Sequence, residues 1–123
     1  MKVIDSTVWL ETAVDGPLAE RCALHLTDAT DLITPTIVML EVYRVLRRRE
    51  REKAAMTIVA EMEYTRIVPL DHVVAIAAAD LSIDHGLAAA DAVVYATARL
   101  NGADLVTADT DFRGLPGVIL LEQ

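Results

Sequence analysis

What most constrains this chain is the order in which short apolar runs and longer helical patterns follow one another. Residues 2–5, 31–35, 66–70, 104–107 and 118–121 are brief stretches rich in Val, Ile and Leu. Such runs suit strands buried on both faces. Between them, residues 7–12, 17–29, 36–49, 53–64, 72–84 and 88–100 carry apolar side chains at helical spacing. Gly16-Pro17 breaks the first helical stretch, and Pro35 cannot continue the second strand. Asp71 fits an N-cap, Gly86 a C-terminal stop, and Asn101-Gly102 closes the last helix. Alternation of this kind predicts an α/β fold, with a central parallel sheet covered by helices on both faces. Ligands of such sheets bind beyond the carboxyl ends of the strands.

With 123 residues, the chain is expected to form one domain over 1–123. Apolar residues make up 54 %, too many for a disordered chain. No apolar run reaches the ~18 residues needed to span a membrane, and no signal peptide is recognisable. Cys22 is the only cysteine, so no internal disulfide can form. These features predict a soluble cytoplasmic protein. There is no GxGxxG and no GxxxxGK[ST], so neither a dinucleotide site nor a P-loop is indicated.

The net charge is −8, which disfavours indiscriminate adhesion to nucleic acid. It is unevenly spread. Residues 44–53 hold Arg44, Arg47, Arg48, Arg49, Arg51 and Lys53 against Glu50 and Glu52, a local +4 on a remainder of −12. A basic patch on an acidic body can steer a polyanion to one place; it can equally be a solvated helix face.

Acids interrupt apolar segments at four element boundaries. Asp5 ends the first strand, and Glu41 sits in the helix after the second. Asp91 lies in the first turn of helix 88–100, and Asp109 follows strand 104–107. Each has a plain role open to it. Asp5 can cap a helix with Ser6 and Thr7 nearby, and Glu41 can pair with Arg44. Asp91 can favour a helix dipole, and Asp109 can start a turn with Thr110 and Asp111. Glu41, however, falls at the edge of the apolar face of Val38, Val42, Val45 and Leu46. Taken together, the four acids can converge at one end of the sheet. Two carboxylates ~4 Å apart repel by roughly 4 kcal/mol at an effective dielectric of about 20. A shared pocket therefore needs protonation or a cation. Hard divalent ions such as Mg²⁺ take oxygen ligands, and on a phosphodiester they activate water and polarise the phosphoryl oxygen.

These stretches resemble the PIN domain, in particular the VapC-type toxins of bacterial and archaeal toxin–antitoxin modules. The resemblance runs the whole chain. It rests on VIDSTVWL, on the helical Glu of TIVMLEVYRVL, on LAAADAVVYATARLNGADLVTADTDF and on the closing GLPGVILL. It implies a three-layer α/β/α sandwich and an Mg²⁺-dependent endoribonuclease, with Mn²⁺ able to substitute. It places the acidic centre on Asp5, Glu41, Asp91 and Asp109, with Asp5 and Asp91 as the foremost direct ligands. Asp111 matches a further acid, expected in the outer sphere. Ser6 and Thr107 match hydroxyl positions that orient carboxylates or a metal water. The implied chemistry is hydrolysis by metal-activated water, leaving 5′-phosphate and 3′-hydroxyl ends without a catalytic histidine. His25, His72 and His85 are accordingly unassigned.

Arg44 and Arg48 fall near Glu41 on the helical wheel and can touch a phosphate backbone, though helix-end cations are as common. Trp9, Tyr43, Tyr64, Tyr95 and Phe112 are few for a base-stacking platform, and Trp9 and Phe112 are expected to pack in the core. The resemblance further implies an RNA substrate (tRNA, rRNA or mRNA), a cognate antitoxin protein and a homodimer. Two other readings stand beside it. One is a catalytically silent binding module on the same fold. The other is an aspartyl-phosphate receiver or phosphotransferase, weakened because no lysine follows Lys53.

Overall fold

The structure, a computed structural model, describes residues 1–123. Five strands and six α-helices alternate along it. They are β1 (Lys2–Ile4), α1 (Ser6–Ala13), α2 (Ala19–Ala23), β2 (Leu32–Pro35), α3 (Thr36–Arg48), α4 (Glu52–Glu63), β3 (Arg66–Val68), α5 (His72–His85), α6 (Ala89–Leu100), β4 (Asp104–Thr107) and β5 (Val118–Leu120). All strands pair parallel in one sheet of order β3-β2-β1-β4-β5. The α/β architecture expected from the alternation is the one observed, a central parallel sheet flanked by helices.

The strand order fixes where a site can form. The chain steps outward from β1 to β2 to β3, then returns to lay β4 on the other side of β1. Crossovers therefore leave in opposite directions from β1 and β4, and a crevice opens beyond their carboxyl ends. The register pairs Ile4 with Val106, so Asp5 and Thr107 emerge side by side at that crevice. The Asp5 N–H continues the ladder by donating to the Val106 carbonyl at 2.9 Å.

The core beneath is continuous. Val3, Ile4, Ile33, Leu105 and Val106 from the strands are fully buried, as are Val38, Val42 and Leu46 from α3. Trp9 and Phe112 lie inside it, at 2 % and 0 % exposure, as expected of packing residues. Along α6, residues 92–98 are all buried. This is why a helix so rich in alanine and valine can carry Asp91 at its mouth without fraying. No single helix is long and apolar enough to cross a membrane.

Most element ends differ from the sequence reading by about one residue, and three differences have a visible cause. The helix expected over 17–29 is α2 alone, ending at Ala23. Asp28 Oδ1 accepts both the Thr30 N–H at 3.1 Å and its hydroxyl at 2.6 Å, starting a separate 3₁₀ turn at Ala29–Asp31. Side-chain bonds of this kind compete with helix continuation. The strand expected over 66–70 stops at Val68, because Pro69 has no N–H to donate. The second strand begins at Leu32, Asp31 belonging to the 3₁₀ turn. The caps of α5 form as expected: Asp71 Oδ1 accepts the Val74 N–H at 2.9 Å, and Gly86 takes the left-handed conformation at φ 68°.

Candidate active site

At the crevice, Asp5 is the buried element. It follows β1 with φ −69° and ψ 157°, the extended geometry of an N-cap, and its Oδ1 accepts the Ser6 N–H at 2.9 Å. Its Oδ2 accepts two hydroxyls, Thr107 at 2.6 Å and Thr7 at 3.0 Å. Only 3 % of Asp5 is exposed. Burial raises its pKa above the ordinary carboxylate range. The Thr107 and Thr7 hydroxyls and the Ser6 N–H pull it back, and the charge of Asp109 pushes it up again.

Asp91, Asp109 and Asp111 form the open side. One carboxylate oxygen from each lies within 4.8 Å of those of the other two. Asp91 comes from the first turn of α6, a position that the dipole favours for an anion. Asp109 caps a 3₁₀ turn at Thr110–Phe112, accepting the Asp111 N–H at 2.9 Å. That turn brings Asp111 beside Asp109, and Phe112 anchors it in the core at 0 % exposure. The Asp91 pKa is raised to about 6, by burial first, then by the charges of Asp109, Asp5 and Asp111. Glu41 on α3 is half-buried. Its pKa is raised by burial, then by Asp5 and Asp91, with Arg44 and the Ser6 hydroxyl opposing.

The five acids therefore share one electrostatic environment. Sequence reasoning set Asp111 further out than Asp109, whereas the structure puts both in the same close group with Asp91. Asp5 and Glu41 lie outside that trio. The donor set is carboxylate oxygen throughout, with hydroxyls behind it and neither thiol nor imidazole. Such chemistry suits a hard divalent cation and is unsuited to a soft one.

Arg44 and Arg48 are exposed on α3, and neither is in an ion pair. Arg47 is engaged, reaching the Tyr43 hydroxyl at 2.9 Å and Glu52 at 3.4 Å. Leu40, Tyr43 and these three arginines line a shallow concavity of about 470 Å³. The histidines stand elsewhere: Lys2 meets His25 at 3.0 Å, and His85 lies edge-on to Tyr95. Thr7 was missed by the sequence reading. The signal was there, a hydroxyl two residues after the strand-ending acid, but its partner Ala108 is distant in sequence.

A PIN-domain family model matches residues 2–118. The chain belongs to the PIN-domain family. Among solved structures, it is similar to a toxin–antitoxin complex from Klebsiella pneumoniae, at 22 % identity and a TM-score of 0.82, over 97 % of this chain and 96 % of that one. Mycobacterium tuberculosis VapC20, described as a sarcin–ricin loop cleaving toxin, matches at 17 % identity and a TM-score of 0.81, over the full length of both chains. FitAcB from Neisseria gonorrhoeae matches at 23 % identity and a TM-score of 0.73, over 98 % of this chain and 97 % of that one. At these identities the likeness is one of fold. Among curated proteins none matches the sequence.

Proposed function

We propose that this PIN domain is a divalent-cation-dependent endoribonuclease, the toxin of a toxin–antitoxin pair. One observation carries the reading: three carboxylates from two separate elements approach within 4.8 Å, with Asp5 and Glu41 in their field. Repulsion among acids this close makes the arrangement costly unless a cation or a proton occupies it. The family and the fold of the toxins named above support the same conclusion.

Asp91, Asp109 and Asp111 would hold Mg²⁺ or Mn²⁺ on the open side, Asp5 and Glu41 closing the cage from the strand and from α3. A cation bound there supplies Lewis acidity toward a phosphoryl oxygen and a water of lowered pKa. The protein's own part is positional. Ser6, Thr7 and Thr107 fix the Asp5 carboxylate, and the Asp109 cap fixes the turn that bears Asp111. Arg44 and Arg48, unpaired beside Glu41, would seat backbone phosphates without reading sequence. Hydrolysis of this kind leaves a 5′-phosphate and a 3′-hydroxyl.

An antitoxin is the expected partner, as in the complexes the fold resembles. A second copy of the chain is the other, on the apolar outer face of α5. The nuclease reading is tested with purified, partner-free protein, tRNA or ribosomal RNA, and Mn²⁺. Wild type should cleave to 5′-phosphate ends, chelator should stop it, and Asp91→Asn should be inert. Equal cleavage by the variant would assign the activity to a contaminant.

A further inference from the structure

Thr7 and Thr107 make the same pair of bonds from two directions. Thr7 donates its hydroxyl proton to Asp5 Oδ2 at 3.0 Å and accepts the Ala108 N–H at 3.0 Å. Thr107 donates to the same oxygen at 2.6 Å and accepts the Asp109 N–H at 3.0 Å. A hydroxyl has a single proton to give. With both protons on Asp5, the two hydroxyl oxygens, 3.4 Å apart, do not bond each other. Each threonine is thus a relay from a peptide N–H to the carboxylate.

The count of lone pairs gives this arrangement a consequence. A carboxylate oxygen offers about two acceptor sites. Both sites on Oδ2 are filled by hydroxyls, and one on Oδ1 is filled by the Ser6 N–H. A single site on Oδ1 is left for anything in the crevice. The Thr7 bond ties the start of α1 to Ala108, and the Thr107 hydroxyl holds the Asp109 N–H beside it, at the root of the turn that carries Asp109 and Asp111.

We infer that Thr7 is a positioning residue for the divalent cation: with Thr107 it directs Asp5 to the crevice through Oδ1 alone and holds the Asp109–Asp111 turn in register with α1. This rests on the reading of the acidic cluster as a cation site. Thr7 adds what Ser6 and Thr107 do not, a bond from α1 to the Ala108 amide just after β4.

The test compares Thr7→Val, which removes the hydroxyl at nearly constant volume, with Thr7→Ser, which keeps it. Mn²⁺ affinity is read by electron paramagnetic resonance of the free ion, and hydrogen exchange at the Ala108 amide is read in cation-free protein. Thr7→Val should bind Mn²⁺ about tenfold or more weakly, the scale typical when a group supporting a metal ligand is lost. Its Ala108 amide should exchange faster, and Thr7→Ser should restore both. A folded Thr7→Val protein with wild-type Mn²⁺ affinity overturns the inference and leaves the cation site standing. Wild type that binds no Mn²⁺ overturns both. If Thr7→Val does not fold, the wild-type and Thr7→Ser proteins still decide: an Ala108 amide that exchanges freely in either one refutes the relay.

Discussion

Asp91 keeps its proton up to about pH 6 in the cation-free fold, because burial and the charges of Asp109, Asp5 and Asp111 oppose ionisation. An unfolded aspartate ionises near 3.9. The folded state therefore binds this proton more tightly than the unfolded one. The stability it lends is complete below about pH 4 and is lost as pH rises through about 6. Asp5 and Glu41 shift in the same direction and add to the trend. In chelator, Asp91→Asn should thus melt a few degrees above wild type at pH 7, with no such gain at pH 4. Saturating Mn²⁺ should reverse the order at pH 7, since only wild type gains fully from binding. The difference between variant and wild type is the readout, because the other acids titrate in both. A variant that melts below wild type at pH 7 in chelator would show that Asp91 is not under electrostatic strain. At this scale Asp5, Glu41, Asp91 and Asp109 were legible because each interrupts an apolar stretch. Asp111 was read only as an outer-sphere acid, because its closeness to Asp91 is set by the fold of a single turn, and Thr7 was not singled out, because its bond to Ala108 joins segments remote in sequence.

Elements with strong periodicity and a clear cap were read from sequence almost to the residue. For α5, Asp71 and Gly86 mark both ends, and each makes the backbone interaction its chemistry predicts. The stretch after α2 was not legible. Leu18, Cys22 and Leu26 keep helical spacing, and Cys22 is fully buried with Leu18 and Leu26 against the core. Yet the chain leaves the helix after Ala23, where the His25 and Leu26 N–H groups reach the carbonyls of Cys22 and Ala23 three residues back, and Asp28 then opens a separate turn, none of which periodicity registers. In α3 one helix bears Glu41 near its middle and unpaired Arg44 and Arg48 beyond it, so on the proposed reading acid chemistry and phosphate contacts would share a rigid support. Replacing both arginines by alanine should weaken RNA binding and reduce the slope of log K against log salt by roughly 1.4, about 0.7 per single-strand phosphate contact. Asp91→Asn protein, expected to be inert in cleavage, is the suitable background, binding being followed by fluorescence anisotropy over a range of salt. An unaltered slope would mean that these are ordinary helix-end cations.

At the scale of the molecule, α5 is the element whose sequence and environment disagree. It is apolar on nearly every side, as a core helix is, yet only Val74 and Ala78 are buried. Val73 is 52 % exposed, Ile76 67 % and Ile83 81 %. Ile76, Ala79 and Ile83 follow i, i+3, i+7 spacing along the outer face, the spacing of a helix–helix seam. Ala79 and Ile83 themselves line a shallow, mostly apolar concavity of about 420 Å³, together with Leu70, Ala75, Ser82 and Val93. If a second copy packs on this face, as proposed above, the isoleucines of each copy would meet the apolar surface of the other. Cyclic dimers use one patch twice in this manner. The acidic charge of the body opposes close approach of two copies, so apolar burial must supply the attraction. Light scattering on the partner-free protein should therefore give the mass of two chains. Ile76→Glu with Ile83→Glu should give one, because four carboxylates brought to a dry seam cannot be solvated there. Both positions face solvent in the single chain, so the variant should keep its circular dichroism spectrum and its Mn²⁺ affinity. Were it to remain a dimer, the contact between copies would lie elsewhere and α5 would be open to a different partner.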